Sequence, residues 1–148
     1  MTNDGSGYFI DRVTPEFSTL RARNFFSKGE LVLDLTTAEV LADRDYTSID
    51  LGDSNVYHPM GRYINHCCNP TAYVDAERKG IVALGMIKPG DEITFNYLAS
   101  ERQIVAPFDC DCGWANCFGR IEKGFAQPSD SPHSVWASTH KRVKRNAA

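Results

Sequence analysis

Ten residues near the middle of the chain, 61–70, concentrate side chains that could do chemistry. They include an arginine, an asparagine, a histidine and two adjacent cysteines. A loop with this density of polar and soft groups usually builds a site rather than fills a core. Two later stretches, 90–97 and 110–117, are the expected partners. We predict that the three pieces close on one another in space.

The cysteines indicate a metal site. Cys110, Cys112 and Cys117 offer three thiolates within eight residues, beside Asp and Gly. Structural zinc prefers four ligands in a tetrahedron. Cys68 is the natural fourth ligand, because neighbouring side chains usually point apart and only one of Cys67 and Cys68 should ligate. Such a site would clamp the C-terminal segment onto the central stretch, and folding of that pocket wall should depend on metal.

Two alternatives stay open at this point. The cysteines could be buried apolar thiols that bind nothing. His66 is a rival for the fourth ligand position, and its own alternative is a buried imidazole held by a backbone carbonyl.

Size and composition give the setting for these residues. The 148 residues suffice for one domain, with 42% hydrophobic and 24% charged residues. The net charge of −3 gives no reason to expect nucleic-acid binding across the whole surface. Residues 1–7 lack the features of a secretory signal, and no apolar run could cross a bilayer. We expect an intracellular protein, cytoplasmic or nuclear, without a membrane partner. Nucleic acid is expected only as a weak contact of the basic run 141–145.

The hydrophobic pattern predicts a mostly β fold with short helices and long functional loops. A short helical turn is expected around 63–64, and 36–45 fits either a helical turn or an extended connector. The predicted strands cover 8–13, 20–24, 31–35, 46–51, 73–75, 81–85 and 93–97.

At these motifs the chain resembles the SET domain family of lysine methyltransferases, which use S-adenosylmethionine. The family pattern Arg-Phe/Tyr-x-Asn-His-Ser-Cys-x-Pro-Asn corresponds to 62–71, and Gly-Glu/Asp-Glu-Leu/Ile-Thr-Phe-Asp-Tyr to 90–97. The zinc-binding post-SET pattern Cys-x-Cys-x4-Cys-x-Gly corresponds to 110–119. A weaker match covers 22–30. Three motifs in the right order make the resemblance, over roughly 8–124, specific.

The resemblance implies an architecture. It is a SET-type β-clip fold with a C-terminal pseudoknot and a post-SET zinc site. The expected divisions are a flexible N-terminus over 1–7, a SET domain over 8–107, a post-SET zinc element over 108–124 and a partly disordered tail over 125–148.

The resemblance also implies residue roles. Tyr97 corresponds to the catalytic tyrosine of the family. Trp114 could stack on the adenine ring of the cofactor or, equally, pack over the zinc cluster. The metal ligands would be the four cysteines 68, 110, 112 and 117, with Zn²⁺ as the ion. The implied contacts to S-adenosylmethionine are Arg62, Tyr63, Asn65, His66 and Trp114.

Several positions depart from the family pattern. The early Gly-x-Gly, which lets the backbone approach the cofactor, is replaced by Phe17-Ser18-Thr19. Asn96 stands for Asp, Cys67 for Ser, and His58-Pro59 for Gly-Asn. Ala99 replaces a frequent aromatic residue, which would leave a roomier substrate channel.

The reaction that these residues suggest is methyl transfer from a sulfonium to an amine, an in-line displacement governed by positioning. The first hypothesis is a methyltransferase that acts on the side-chain amine of a protein lysine. One alternative keeps this chemistry for an amine of a small molecule or peptide. The other is a zinc-stabilised SET-like binding module with little catalysis.

Overall fold

Tight turns divide the chain into short strands. The computed structural model describes residues 7–126, which form twelve strands, one α-helix and one 3-10 turn, confirming the predicted mostly-β class. Most of the expected flexible ends, with the basic run 141–145, lie outside the described residues. The strands are β1 (Tyr8–Thr14), β2 (Phe17–Ala22), β3 (Leu31–Asp34), β4 (Glu39–Leu41), β5 (Ile49–Asp50), β6 (Asn55–Tyr57), β7 (Asn65–His66), β8 (Ala72–Asp75), β9 (Gly80–Ala83), β10 (Thr94–Phe95), β11 (Phe108–Asp109) and β12 (Arg120–Ile121).

The strands pair in antiparallel orientation, with one exception. β1 and β2 form an antiparallel hairpin, and two three-stranded antiparallel sheets have the orders β3-β9-β8 and β4-β6-β5. Gly80 permits the close approach of β3 to β9, since a Cβ there would clash with Leu31 Cδ1 and lie 2.9 Å from the Leu33 carbonyl oxygen. The hairpin predicted over 73–85 is therefore present as β8 and β9. β3 pairs with β9 and completes a three-stranded sheet.

The main core lies between these sheets. Val32 and Leu33 are consecutive on β3 and both are buried, so the centre of this strand is covered on both faces, as the pattern over 31–35 predicts. A second, smaller cluster beside the cysteines consists of Cys68, Leu98, Ile104 and Ile121.

The exception to antiparallel pairing is the parallel pair of β7 and β10, which aligns Asn65 with Thr94 and His66 with Phe95. Two segments that are far apart in sequence thereby meet, and the Cys67 N–H donates to the Phe95 carbonyl at 3.2 Å. A parallel pair requires a long crossover connection, here the segment that carries β8 and β9. This pairing joins the first two sequence motifs.

The strand predicted over 93–97 is wrong at its end. It stops at Phe95, and a short helix, α1 (Tyr97–Ser100), begins immediately after Asn96. The Asn96 side chain accepts a hydrogen bond from the Leu98 N–H at 3.0 Å, which is the usual contact of a helix N-cap. The cap therefore ends the strand and turns Tyr97 toward β7.

The predicted helical turn is a 3-10 turn over Gly61–Tyr63, followed by Ile64, which is buried in the core. His58 Nδ1 accepts hydrogen bonds from the N–H groups of Met60 and Gly61, at 3.0 and 3.1 Å. The imidazole thus satisfies donors at the start of the turn. Among residues 7–126, no helix has the length and apolar character needed to span a bilayer.

Candidate active site and cysteine cluster

Tyr97 sits at the join between the two clusters of buried residues, and it packs against both. Its hydroxyl donates to the Ile64 carbonyl oxygen at 2.6 Å, and its backbone N–H donates to His66 Nδ1 at 3.0 Å. Aromatic rings surround it, with centroids 4.9 Å away for Phe95 and 6.1 Å away for Phe108. Burial raises the pKa of the Tyr97 phenol, so the hydroxyl stays protonated at neutral pH.

A cleft of about 840 Å³ opens on one side of Tyr97. Its volume lies in the range of small-molecule and cofactor sites. Trp114, the residue predicted to stack on adenine, is not among the lining residues. The predicted cofactor-binding and catalytic residues that line the cleft are Arg62, Tyr63, Asn65, His66 and Tyr97, and the predicted metal ligands Cys110 and Cys112 line it as well.

A second, smaller cavity of about 50 Å³ reaches the same tyrosine. Its wall includes Ile64, Phe95 and Glu101. It shares six lining residues with the cleft, namely Tyr46, Thr47, Arg62, Tyr97, Ala106 and Phe108. The two spaces therefore adjoin at Tyr97, and the smaller space has room only for a slender group.

Arginine and tyrosine side chains stack along the cleft. The Arg62 guanidinium carbon lies 5.2 Å from the ring centroid of Tyr63 and 5.8 Å from that of Tyr57. Arg12 lies 5.9 Å from the Tyr63 centroid. Such cation–π contacts orient the guanidinium groups without neutralising them. Arg62 and Arg12 therefore place positive charge at the cleft wall, which also carries the acidic residues Glu16, Glu92, Asp109 and Asp111.

The segment that replaces the Gly-x-Gly pattern forms part of the cleft wall. Phe17 and Ser18 line the cleft, and Phe17 is 47% exposed. The Asn65 side-chain amide donates to the Ser18 carbonyl at 3.0 Å, which ties β2 to β7. The side chain of Asn65 thus holds the framework of the cleft together.

The cysteine cluster brings four sulfur atoms together. The Sγ atoms of Cys68, Cys110, Cys112 and Cys117 all lie within 4.8 Å of one another, and those of Cys68 and Cys110 are 3.7 Å apart. Tetrahedral zinc with bonds of about 2.3 Å places its sulfurs roughly 3.8 Å apart. Burial and neighbouring thiols raise the pKa of Cys117, so a divalent cation is what would make a shared set of thiolates favourable. The cluster fits a structural Zn²⁺ ion.

Backbone geometry supports this arrangement. Gly113 and Gly119 have φ values of 80° and 88°, a region that favours glycine, and they turn the chain on either side of Cys117. The Cys110 N–H donates to the Gly119 carbonyl at 2.7 Å, which closes the loop. Cys68 Sγ accepts a hydrogen bond from the Phe118 N–H at 3.2 Å. The loop therefore presents three sulfurs to Cys68.

His66 lies beside the cluster and is not one of its four donors. Its Nδ1 accepts from the Tyr97 N–H, so the proton of the neutral ring is on Nε2, which lies 3.2 Å from Cys68 Sγ. Burial lowers the pKa of His66 to about 4, so the ring is neutral at pH 7. The imidazole thus links Tyr97 to the sulfur cluster by two hydrogen bonds.

The sequence interpretation missed two residues at this site. Phe108 contacts both Tyr97 and His66 by edge-on ring packing, and Glu101 is a buried acid that lines the small cavity. Phe108 lies two positions before the first cysteine of the run, and this position could have suggested that its ring belongs to the site. No local sequence signal marks Glu101.

The geometry agrees with comparisons to known proteins. The SET domain family matches residues 18–98, and the chain belongs to this family. Its relatives are methyltransferases. The chain is 30% identical over 136 residues to methyltransferase flvH of Aspergillus flavus, covering 88% of this chain and 76% of that protein. It is 38% identical over 81 residues to an H3 lysine-36-specific histone-lysine N-methyltransferase of Chaetomium globosum, covering 51% of this chain but only 9% of that protein.

Solved structures share the fold at low sequence identity. KRYPTONITE in complex with mCHH DNA, an H3(1–15) peptide and SAH superimposes with a TM-score of 0.56 at 20% identity, over 75% of this chain and 28% of that one. The methyltransferase domain of human SETMAR gives a TM-score of 0.56 at 15% identity, over 79% and 58% of the two chains. The predicted SET-type fold is thereby confirmed.

Proposed function

We propose that this protein is an S-adenosylmethionine-dependent methyltransferase that acts on the side-chain amine of a protein lysine. The observation that supports this most is the meeting of the large cleft and the small cavity at Tyr97. The cleft has the size for the cofactor, and the small cavity has the size for the end of a lysine side chain. The histone-lysine methyltransferases among the relatives support a lysine substrate.

Each residue has a role in this proposal. When bound, S-adenosylmethionine would supply an electrophilic methyl group on a sulfonium, which the amine nitrogen would attack. Arg62 and Tyr63 form the cofactor wall, and the backbone of β7 at Asn65 and His66 forms its floor. The Tyr97 hydroxyl donates to Ile64, so its oxygen lone pairs remain to accept C–H contacts from the methyl group, each about 0.5–1 kcal/mol.

The cysteine cluster has a structural role in this proposal. Zn²⁺ held by Cys68, Cys110, Cys112 and Cys117 would fix the segment that carries Phe108 against Tyr97. The ion would supply no chemistry to the reaction itself, because all four of its ligand positions would be filled by thiolates.

The test is Tyr97→Phe, with transfer of labelled methyl from S-adenosylmethionine to lysine peptides as the measurement. We expect a loss of roughly 10²-fold in rate, similar to the removal of one hydrogen-bonding group from a transition-state site. Affinity for S-adenosylhomocysteine and zinc content should stay unchanged.

Tyr73→Phe is the matched control. It also removes one tyrosine hydroxyl, but Tyr73 lies on β8 and lines neither cavity. A Tyr97→Phe variant with full activity would refute the role given to Tyr97. A wild-type chain that binds no S-adenosylhomocysteine would instead support the binding-module alternative.

A further inference from the structure

Glu101 is a buried carboxyl group that the proposed reaction has not yet used. It is 8% exposed and follows α1 directly, and it lines the small cavity together with Tyr97. Glu101 Oε2 accepts a hydrogen bond from the Asp50 N–H at 3.0 Å. This contact holds the carboxyl group in place without neutralising it.

The arginine side chains near Glu101 form ion pairs with another acid, Asp50. Asp50 Oδ2 lies 3.3 Å from Arg102 Nε and 3.9 Å from Arg44 Nη2, and the Asp50 side chain is only 1% exposed. Within residues 7–126, no ion pair reaches Glu101 itself. A buried carboxylate is costly unless a cation or several donors compensate it. The small cavity beside Glu101 is where such a cation could bind.

We propose that Glu101 binds the ammonium group of the substrate in the small cavity and accepts its proton before methyl transfer. This inference depends on the proposed function, since it names the group that prepares the amine. A lysine amine with a pKa of about 10.4 is almost entirely charged at neutral pH and has no lone pair to attack with.

The step balances in atoms and charge. The proton passes from the ammonium nitrogen to a carboxylate oxygen of Glu101, which leaves a neutral amine and a neutral carboxyl group. The nitrogen then forms a bond to the methyl carbon, and the electron pair of the broken C–S bond stays on sulfur. The proton on Glu101 returns to solvent after the product leaves.

The charges that face Glu101 suit this exchange. Burial and the nearby Asp50 raise the pKa of Glu101 to about 7, while the Asp50 N–H and Arg44 lower it. A carboxyl group with a pKa near the working pH can take and release a proton readily. The other ionisable groups that line this cavity are Asp45, Tyr46, Arg62 and Tyr97, and the Tyr97 phenol stays protonated. An arriving ammonium would favour the carboxylate form.

The first experiment detects the contact without requiring turnover. The ¹³C carboxyl signals of glutamate are recorded against pH in the full chain loaded with S-adenosylhomocysteine, with and without n-butylamine, which mimics a lysine side chain. Glu101→Gln assigns the signal by its disappearance. We expect butylamine to lower the Glu101 midpoint by about 1–3 pH units, as a cation near a carboxylate does. An unmoved midpoint at saturating butylamine would overturn the proposal.

The second experiment measures single-turnover methyl transfer against pH. Glu101→Gln should lose roughly 10²-fold at pH 7, and the loss should shrink toward pH 10, where free amine becomes available in solution. Glu77→Gln, the same change at an exposed turn, is the control and should match the wild type. An equal rate for Glu101→Gln across the whole pH range would overturn the proposal.

The proposed function and the role of Glu101 can be refuted separately. If the chain does not bind S-adenosylhomocysteine, the proposed function fails and the role of Glu101 fails with it. If cofactor binding and transfer are normal but Glu101 responds to neither experiment, only the present inference is refuted.

Discussion

The strand core and the cysteine-bearing C-terminal segment are stabilised by different means. The main core contains sixteen buried apolar residues from several sheets, whereas the cluster beside the cysteines contains four. Burial of one large apolar side chain contributes about 1.5–3 kcal/mol, while fixing the backbone of one residue costs about 1–2 kcal/mol. Four buried residues therefore cannot order a segment of this length unaided. The comparison indicates that this segment needs a further constraint, which four thiolates that bind a metal ion would supply.

Tyr97 and Glu101 lie where the two regions meet. Tyr97 packs against both clusters of buried residues. Glu101 joins them through its backbone as well, since its carbonyl accepts from the Phe125 N–H at 3.0 Å while its carboxyl group accepts from Asp50 on β5. The site therefore depends on both regions. A variant that disturbs one of them tests whether the two regions are stabilised by different means.

The largest effect is expected from Cys68→Ser, which removes the only fully buried sulfur of the cluster within the described residues. Structural zinc sites contribute about 10–16 kcal/mol to the folding of small domains. We expect loss of bound zinc, rapid proteolysis between residues 108 and 126, and loss of methyl transfer. Elemental analysis, limited proteolysis and the transfer assay measure these three effects.

Cys67→Ser is the control for that experiment, because Cys67 is the neighbouring thiol and lies outside the group of four. It should retain zinc and the protected C-terminal segment. Amide exchange in β3 and β9 should remain slow in both variants. Equal zinc loss in both would contradict the assignment of Cys68 as the ligand.

Local patterns made much of this architecture predictable. The spacing of Cys110, Cys112 and Cys117 indicated a metal cluster, and the turn between β8 and β9 indicated a hairpin. The motif match identified Tyr97 and the stretch 61–70 as partners, and the structure brings them together through the parallel pair of β7 and β10. These features were accessible because each of the motifs that signal them lies within about ten consecutive residues.

Features that depend on distant contacts were not predictable. The contact between Glu101 and Asp50 spans 51 positions, and nothing near Glu101 in sequence indicates burial. The strand predicted over 93–97 ended early, because an N-cap at Asn96 favoured a helix over strand continuation. Trp114 was placed by analogy, and it does not line the cleft.

A smaller effect, confined to the strand core, is expected from Leu33→Ala. Leu33 is 1% exposed at the centre of β3, and removing such a side chain costs about 2–5 kcal/mol because a cavity remains. We expect a lower midpoint of urea unfolding with the zinc content unchanged. Leu31→Ala on the same strand is the control, because Leu31 is 36% exposed and should cost far less. Loss of zinc in the folded Leu33→Ala protein would show that the two regions are not separable.

The smallest effect is expected from Glu101, where the two regions meet, on the pH dependence of the free energy of unfolding. Glu101 has its pKa raised from 4.5 to about 7 in the folded protein, chiefly by burial. The folded state then binds more protons than the unfolded state between these values, so the contribution of Glu101 is fully present below pH 4.5 and is lost as the pH rises through 7. The expected decrease is about 1–3 kcal/mol.

Urea unfolding at several pH values tests this sign. The difference in free energy of unfolding between wild type and Glu101→Gln should change in favour of the variant from pH 5 to pH 8, because glutamine stays neutral and can still accept from the Asp50 N–H. Carboxylates with lowered pKa, such as Asp34 and Asp45, act in the opposite direction but are common to both proteins and cancel in the difference. A difference that is flat with pH would mean that Glu101 is compensated at the join by a charge from one of the two regions, and the small cavity would then not require a cation.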